Sequence, residues 1–174
     1  KKIKLINCVG GGSSAYGFWS EFIDFPKKQV ELIGVEAGGP AQSKLHAAPL
    51  SKGAKLGILH GAASYVCQNK DGQINETESI SAGLDYPGVS PIHCFLKDTK
   101  RAKYTYATDE EALKAFKLVT KFEKINPSLE PSHAFAEAIA YAPKLNKNTI
   151  IIVNSCGDAK KDTDILKKRL RKLK

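Results

Sequence analysis

Hydrophobic positions along the chain switch between the two-residue period of strands and the three-to-four-residue period of helices. Residues 4–9 alternate and run into Gly10, Gly11 and Gly12, which predicts a short strand ending in a glycine loop. Residues 15–25 then place Tyr16, Trp19, Phe22 and Ile23 on one helical face, and residues 30–35 (VELIGV) form a second apolar run. Strand, loop, helix and strand in that order mark a parallel sheet. Residues 38–61 are rich in Gly, Ala, Pro and Ser without strong periodicity. The turn residues NKDGQI (69–74) predict a hairpin between residues 64–68 and 73–76. A further glycine and proline loop, SAGLDYPGVSP, covers residues 81–91. Irregular stretches of this size in a compact domain are more often functional than filler.

Thr108 followed by Glu111 is a capping box, and Ala112, Leu113, Phe116, Val119 and Phe122 hold one face until Asn126 and Pro127 stop the helix. A second helix is predicted from about residue 132 to 142, ending before Pro143. Residues 149–153 are apolar and mostly branched, which predicts a buried parallel strand. That strand delivers the chain into the polar loop NSCGDAKKD (154–162) and a last helix with Ile165, Leu166, Leu170 and Leu173 at helical spacing. These elements predict an α/β fold: one domain over residues 1–174, an open parallel sheet with flanking helices in three layers. The loops at 10–14 and 154–162 each follow a strand and precede a helix. Ligands of open parallel sheets bind outside the carboxyl ends of the strands, so both loops are expected to face one ligand.

Composition narrows the class. At 174 residues, with 42% hydrophobic and 26% charged residues, the chain has ordinary globular usage. Its longest clean apolar run, residues 150–153, is far below the ~20 residues of a membrane span. No signal-peptide pattern opens it, so a cytoplasmic protein with no membrane partner is expected. The absence of methionine and the start at Lys1 suggest a piece of a longer protein. A net charge of +9 invites a nucleic-acid reading, but residues 158–174 carry +5 of it and lack aromatics for stacking. A solvated basic helix face is the better reading, with no nucleic-acid partner. Cys8, Cys67, Cys94 and Cys156 lie far apart with no C-x-x-C spacing, which suggests reduced thiols.

The glycine loop carries the most specific chemistry. A glycine loop opening a helix turns backbone N–H groups inward at the positive end of the helix dipole, and Ser13 and Ser14 add hydroxyls, so phosphate is the natural guest. With no lysine in the loop, this is not a nucleotide triphosphate cradle. Gly10 to Ala15 also satisfies G-x-G-x-x-[GA], and Glu36 ends the next strand where a ribose-binding acid sits, so an NAD-type dinucleotide-binding Rossmann module stays open beside a phosphorylated cofactor and a structural turn. Glu130 and His133 offer an acid and a base at a helix start, with capping by Glu130 or Ser132 as the plainer role. His46, His60 and His93 lack metal-ligand spacing and read as lone polar or packing residues. Cys156 has no general base placed beside it by sequence.

Taken in order and spacing, CVGGGSSAYG, LIGVEAGG, LHGAASYVCQNKDGQI, SISAGLDYPGVSP, LEPSHAFAEAI and NSCGD closely resemble the carboxyl-terminal half of the tryptophan synthase β subunit family. That family consists of fold-type II pyridoxal-phosphate enzymes, lyases of tryptophan biosynthesis that condense L-serine with indole to L-tryptophan and water. The resemblance implies that Gly10, Gly11, Gly12, Ser13 and Ser14 hold the phosphate of pyridoxal 5′-phosphate and that Glu130 lies beside its ring. It implies that Asp85 makes a domain-closing salt bridge, and that carbonyls of Gly10, Tyr86 and Gly88 bind a monovalent cation, sodium or potassium. Leu59 and His60 correspond to an indole tunnel, and the implied partners are an α subunit and a second β subunit.

The sequence departs from the family at four places. Cys156 stands where a serine normally meets the pyridine nitrogen, Ser14 stands for an asparagine, Pro131 replaces a serine, and GDAKKD replaces GRGDKD. The Schiff-base lysine belongs to the family's amino-terminal half, so no residue here takes that role. The resemblance therefore implies a binding part that is inactive alone.

Overall fold

A computed structural model describes residues 1–170. In chain order the elements are β1 (Lys2–Cys8), α1 (Ser13–Trp19), β2 (Val30–Ala37), β3 (Lys55–Leu59), β4 (Ala62–Val66), α2 (Pro91–Asp98), β5 (Ala102–Ala107), α3 (Asp109–Glu123), α4 (Leu129–Tyr141), β6 (Thr149–Val153) and α5 (Thr163–Leu170). The sheet order is β5-β2-β1-β6, and every pairing in it is parallel. Alternation along β1 and β2 builds two cores. Leu5, Val9 and Leu32 pack with Trp19 and Leu96 on the α1 and α2 face. Ile6, Cys8, Ile33 and Val35 pack with Ala134 and Ala138 of α4 on the other face. Helices cover both faces, and α3 packs on α4, which gives the expected α/β architecture.

Several expectations need correction. The strand at 149–153 is parallel but is an edge, with Ile150 and Ile152 40% and 44% exposed, so its branched run does not mean full burial. The hairpin lies earlier than the NKDGQI turn predicts: β3 pairs antiparallel with β4 across His60 and Gly61, both at positive φ. At the NKDGQI turn only one isolated bridge forms, between Gln68 and Ile74. The helix after the glycine loop stops at Trp19 and continues as a 3-10 turn (Ser20–Phe22), which leaves Tyr16 half exposed and Trp19 fully buried. Phe122 stands out in solvent at the end of α3. Leu173, the last residue of the predicted amphipathic repeat, lies outside the described residues.

The capping box is present in both directions: Thr108 Oγ1 accepts from Glu111 N, and the Glu111 carboxylate accepts from Thr108 N at 2.8 Å. The start of α4 is earlier than expected, at Leu129. Its amide donates at 2.7 Å to Asp162, which comes from the turn after β6. Neither Glu130 nor Ser132 is needed for that cap. Among the described residues no helix is long and apolar enough to cross a membrane.

Candidate functional site

The glycine loop is fixed from below. Gly12 caps α1 at φ 99°, and Tyr16 N closes the first turn onto Gly12 O at 2.9 Å, so the amides before Tyr16 lie outside the helix's own ladder. His93 is fully buried and bonds the same carbonyl through Nε2 at 2.7 Å, while its Nδ1 meets the Tyr104 hydroxyl at 2.8 Å. Burial lowers the His93 pKa, favouring a neutral ring that donates from Nε2 and accepts at Nδ1. Ser90 N donates to Gly11 O at 2.9 Å, tying the 81–91 loop to the glycine loop.

Above the loop is a cavity of about 110 Å³ lined by Gly10, Gly11, Gly12, Ser13, Ser14, Glu130 and Cys156, together with Cys8, Gly83 and Leu84. All the cofactor candidates named from sequence therefore meet at one place. No atom lies within 4 Å of where a Cβ of Gly11 would stand, so the loop backbone is open on that side. Ser14 Oγ accepts from Asn7 Nδ2 and Asn154 Nδ2, each at 3.3 Å, which joins the loop after β1 to the loop after β6.

Glu130 supplies the charge. Its Oε1 accepts from Lys161 Nζ at 2.6 Å and Gly83 N at 3.2 Å, while Oε2 is buried without a partner. Burial works to raise its pKa, but the hydrogen bond and positive charge of Lys161 overcome this and hold it at about 2. The same contact raises the Lys161 pKa, so this ammonium is locked rather than nucleophilic. His133 does not share a proton with Glu130: its Nδ1 bonds Leu129 O at 2.8 Å inside its own helix.

Cys8 and Cys156 approach each other to 3.6 Å between sulfurs. The hydrogen bond with Cys8 lowers the Cys156 pKa, and the same bond together with burial pushes the Cys8 thiol up. Either sulfur can donate in this contact, and Cys156 Sγ also reaches Asn7 Oδ1 at 4.0 Å.

The other candidates lie to one side. Asp85 is exposed in a turn closed by its amide on Ser81 O at 3.1 Å. Tyr86 lines a neighbouring cavity of about 280 Å³ with Gly11, Leu59 and His60, and its hydroxyl meets His60 Nδ1 at 2.9 Å. Gly88 packs beneath Leu59. Glu36 does not line the glycine-loop cavity. It is fully buried, and its oxygens accept from Leu50 N, Ser51 N and Ser51 Oγ. The dinucleotide reading thereby loses its ribose-binding acid.

No family model matches the chain. It is 52% identical over 159 residues to the tryptophan synthase beta chain of Chromobacterium violaceum, covering 91% of this chain and 39% of that protein. It is 51% identical over 168 residues to the tryptophan synthase beta chain of Fusobacterium nucleatum, covering 96% of this chain and 42% of that protein. This chain belongs to the tryptophan synthase beta chain family. It spans about two fifths of the length of these curated relatives. In fold, it matches a fungal L-serine ammonia-lyase from Rhizomucor miehei at a TM-score of 0.63 and 18% identity, over 96% of this chain and 49% of that one. It also matches a threonine deaminase from T.th. at a TM-score of 0.58 and 15% identity, over 90% and 49% respectively.

Within this tryptophan synthase beta-type domain, sequence reasoning passes over Lys161, His93, Tyr104, Asn7 and the Cys8 partner of Cys156. From sequence, Lys161 is only part of a basic tail and His93 only a packing residue. Their contacts with Glu130 and Gly12 span 31 and 81 residues of chain, and neither leaves a local pattern. Asn7 and Cys8 sit within the apolar alternation of β1, where nothing local marks them for a ligand.

Proposed function

We propose that this chain is the carboxyl-terminal, cofactor-phosphate-binding domain, over residues 1–174, of a cytoplasmic, pyridoxal-phosphate-dependent tryptophan synthase β subunit. The complete protein joins L-serine to indole, giving L-tryptophan and water, and works with an α subunit and a second β subunit. The supporting observation is the convergence of Gly10 to Ser14, Glu130 and Cys156 on one cavity at the carboxyl ends of β1 and β6.

The residues present fit the cofactor. An open glycine backbone with unladdered amides suits a phosphate. The unpartnered Oε2 of Glu130 supplies a buried acceptor beside it. When bound, pyridoxal phosphate supplies the electron sink for chemistry at the amino acid. The chain's own residues hold and orient: His93 fixes Gly12, Asn7 and Asn154 fix Ser14, and Lys161 keeps Glu130 anionic. Cys156 takes the place facing the ring nitrogen as a weak hydrogen-bond partner. Asp85 serves as the domain-closure switch, and carbonyls of Gly10, Tyr86 and Gly88 form the monovalent-cation site. Lys161 is salt-bridged and does not serve as the lysine that bonds the cofactor, so the chain alone forms no tryptophan from serine and indole.

Trp19 reports on this site. It lies edge-on to His93 at 5.7 Å between ring centroids, and His93 holds the loop. Titration with 4′-deoxypyridoxine phosphate, which cannot bond lysines, is expected to change Trp19 fluorescence saturably, while NAD leaves it unchanged. The change is lost in Gly11→Asp. Silence with the analogue and saturation with NAD would overturn the assignment.

A further inference from the structure

We propose that Cys8 and Cys156 are a reversible redox pair on the floor of the glycine-loop cavity, a modification site whose disulfide joins the end of β1 to the loop after β6. Their sulfurs are 3.6 Å apart, and a disulfide needs about 2.05 Å, so the two side chains close by about 1.5 Å. The backbone brings the two segments side by side. β1 and β6 pair in parallel through Ile6 and Val153, and Asn154 N continues the ladder onto Ile6 O at 3.1 Å. That register continued sets Cys8 opposite Ser155, the residue before Cys156, and a disulfide tolerates roughly 4.4–6.8 Å between Cα atoms.

The two sulfurs differ in access. Both line the cavity, but Cys156 is partly exposed whereas Cys8 is buried. Among the described residues the other two thiols have no cysteine neighbour: Cys94 meets Ser64, Tyr65 N and Ser90 O, and Cys67 meets His46. The Cys8 contact lowers the Cys156 pKa, which adds to this geometry because thiolate is the form that oxidants attack.

The oxidant is a peroxide. The Cys156 thiolate attacks one peroxide oxygen, the O–O bond breaks, hydroxide leaves and a sulfenic acid remains on Cys156. Cys8 then loses its proton and attacks the Cys156 sulfur. The S–S bond forms as the S–O bond breaks, and the hydroxyl leaves with a proton as water. Two thiols and one hydrogen peroxide give one disulfide and two waters, with two electrons passing from sulfur to peroxide. A thiol reductant reverses the step. Resting on the cofactor reading above, the disulfide also removes the Cys156 group that faces the ring, so oxidation and ligand binding oppose each other.

The test treats the full chain with hydrogen peroxide, alkylates the remaining thiols, and maps peptides by mass. The expected result is loss of two hydrogens, a link between the Cys8 and Cys156 peptides, alkylated Cys67 and Cys94, and full reversal by dithiothreitol. In Cys8→Ser the sulfenic acid has no thiol to meet, and dimedone traps it on Cys156. Four alkylated thiols after peroxide, or a dimedone adduct on Cys156 of the unaltered chain with no link to Cys8, would overturn the pair. Saturating 4′-deoxypyridoxine phosphate is expected to slow the link at least severalfold. An unchanged rate overturns the opposition to ligand while the mapped link still judges the pair, so the two claims fail separately.

Discussion

Gly12 and Gly11 are neighbours in sequence with opposite constraints. Gly12 holds φ 99°, and a Cβ there would stand inside the His93 ring. A left-handed conformation costs an ordinary residue about 1–2 kcal/mol, and overpacking a buried ring adds about 1–3 kcal/mol. Gly12→Ala is therefore expected to lose at least about 2 kcal/mol of stability, read from the urea midpoint. Gly11→Ala meets nothing and is expected to stay within about 0.5 kcal/mol of the parent chain while weakening the phosphate analogue. Equal midpoints for the two variants would contradict this division. Glu36 gives a second residue-scale outcome. Burial pushes its carboxyl from 4.5 to about 7 against the hydrogen bonds from Ser51 and Leu50. The folded value lies above the unfolded one, so the contribution is full below pH 4.5 and is lost as pH rises through about 7. The loss amounts to about 3 kcal/mol at most. Glu36→Gln lowers stability at acid pH by removing an acceptor, but its stability should fall less than the parent's between pH 5 and 8. Parallel pH curves from chemical denaturation would refute this role. The residue types at both positions are readable from the sequence, but their partners are not: a strand-end glutamate looks the same whether it faces a ribose or the Leu50 and Ser51 amides.

At the scale of elements, legibility follows how local the determinants are. Helix α3 is readable because its cap and its apolar stripe lie within its own residues. Thr108→Ala is expected to cost about 1 kcal/mol, seen as a lower urea midpoint with an unchanged slope. Because α3 packs on α4, which carries Glu130, a ligand response that survives this substitution would show that the site depends on α4's own anchors. Those anchors are distant. The first turn of α4 is held by Asp162, and nothing near residue 129 announces it, so the helix reads as starting three residues late. The same limit hides β5 and α2, whose short patterns are set by pairing with β2 and packing beneath it. The β3–β4 hairpin escapes a sequence reading because its turn uses His60 at positive φ, whereas the more glycine-like NKDGQI turn forms only a bridge. Edge or centre is equally unreadable for β6, since a run of isoleucines is compatible with both.

Across the whole molecule, the β6 edge of the sheet, the outer hairpin and the α3–α4 groove leave apolar surface in water. Ile150 and Ile152 stand exposed on β6, Leu56 and Ile58 on β3 are 69% and 70% exposed, and Leu118, Phe122 and Ile139 line an open groove between α3 and α4. Scattered exposed apolar residues are ordinary in a monomer, but these fall in groups, and among the described residues no strand pairs with the outer side of β6. Edge pairing and side-chain burial there reinforce each other, whereas the hairpin face offers burial alone. The chain by itself is therefore expected to self-associate, with sedimentation velocity showing a weight-average mass that rises over a tenfold range of concentration. Ile150→Lys with Ile152→Lys places charge beside the free edge and should restore a monomer. Leu56→Lys with Ile58→Lys should reduce the association only in part. A chain that sediments as a monomer at every concentration would mean that the β6 edge is already protected by its twist and its lysine-rich neighbours. Association cured by the hairpin pair alone would place the contact on β3 rather than on the sheet edge.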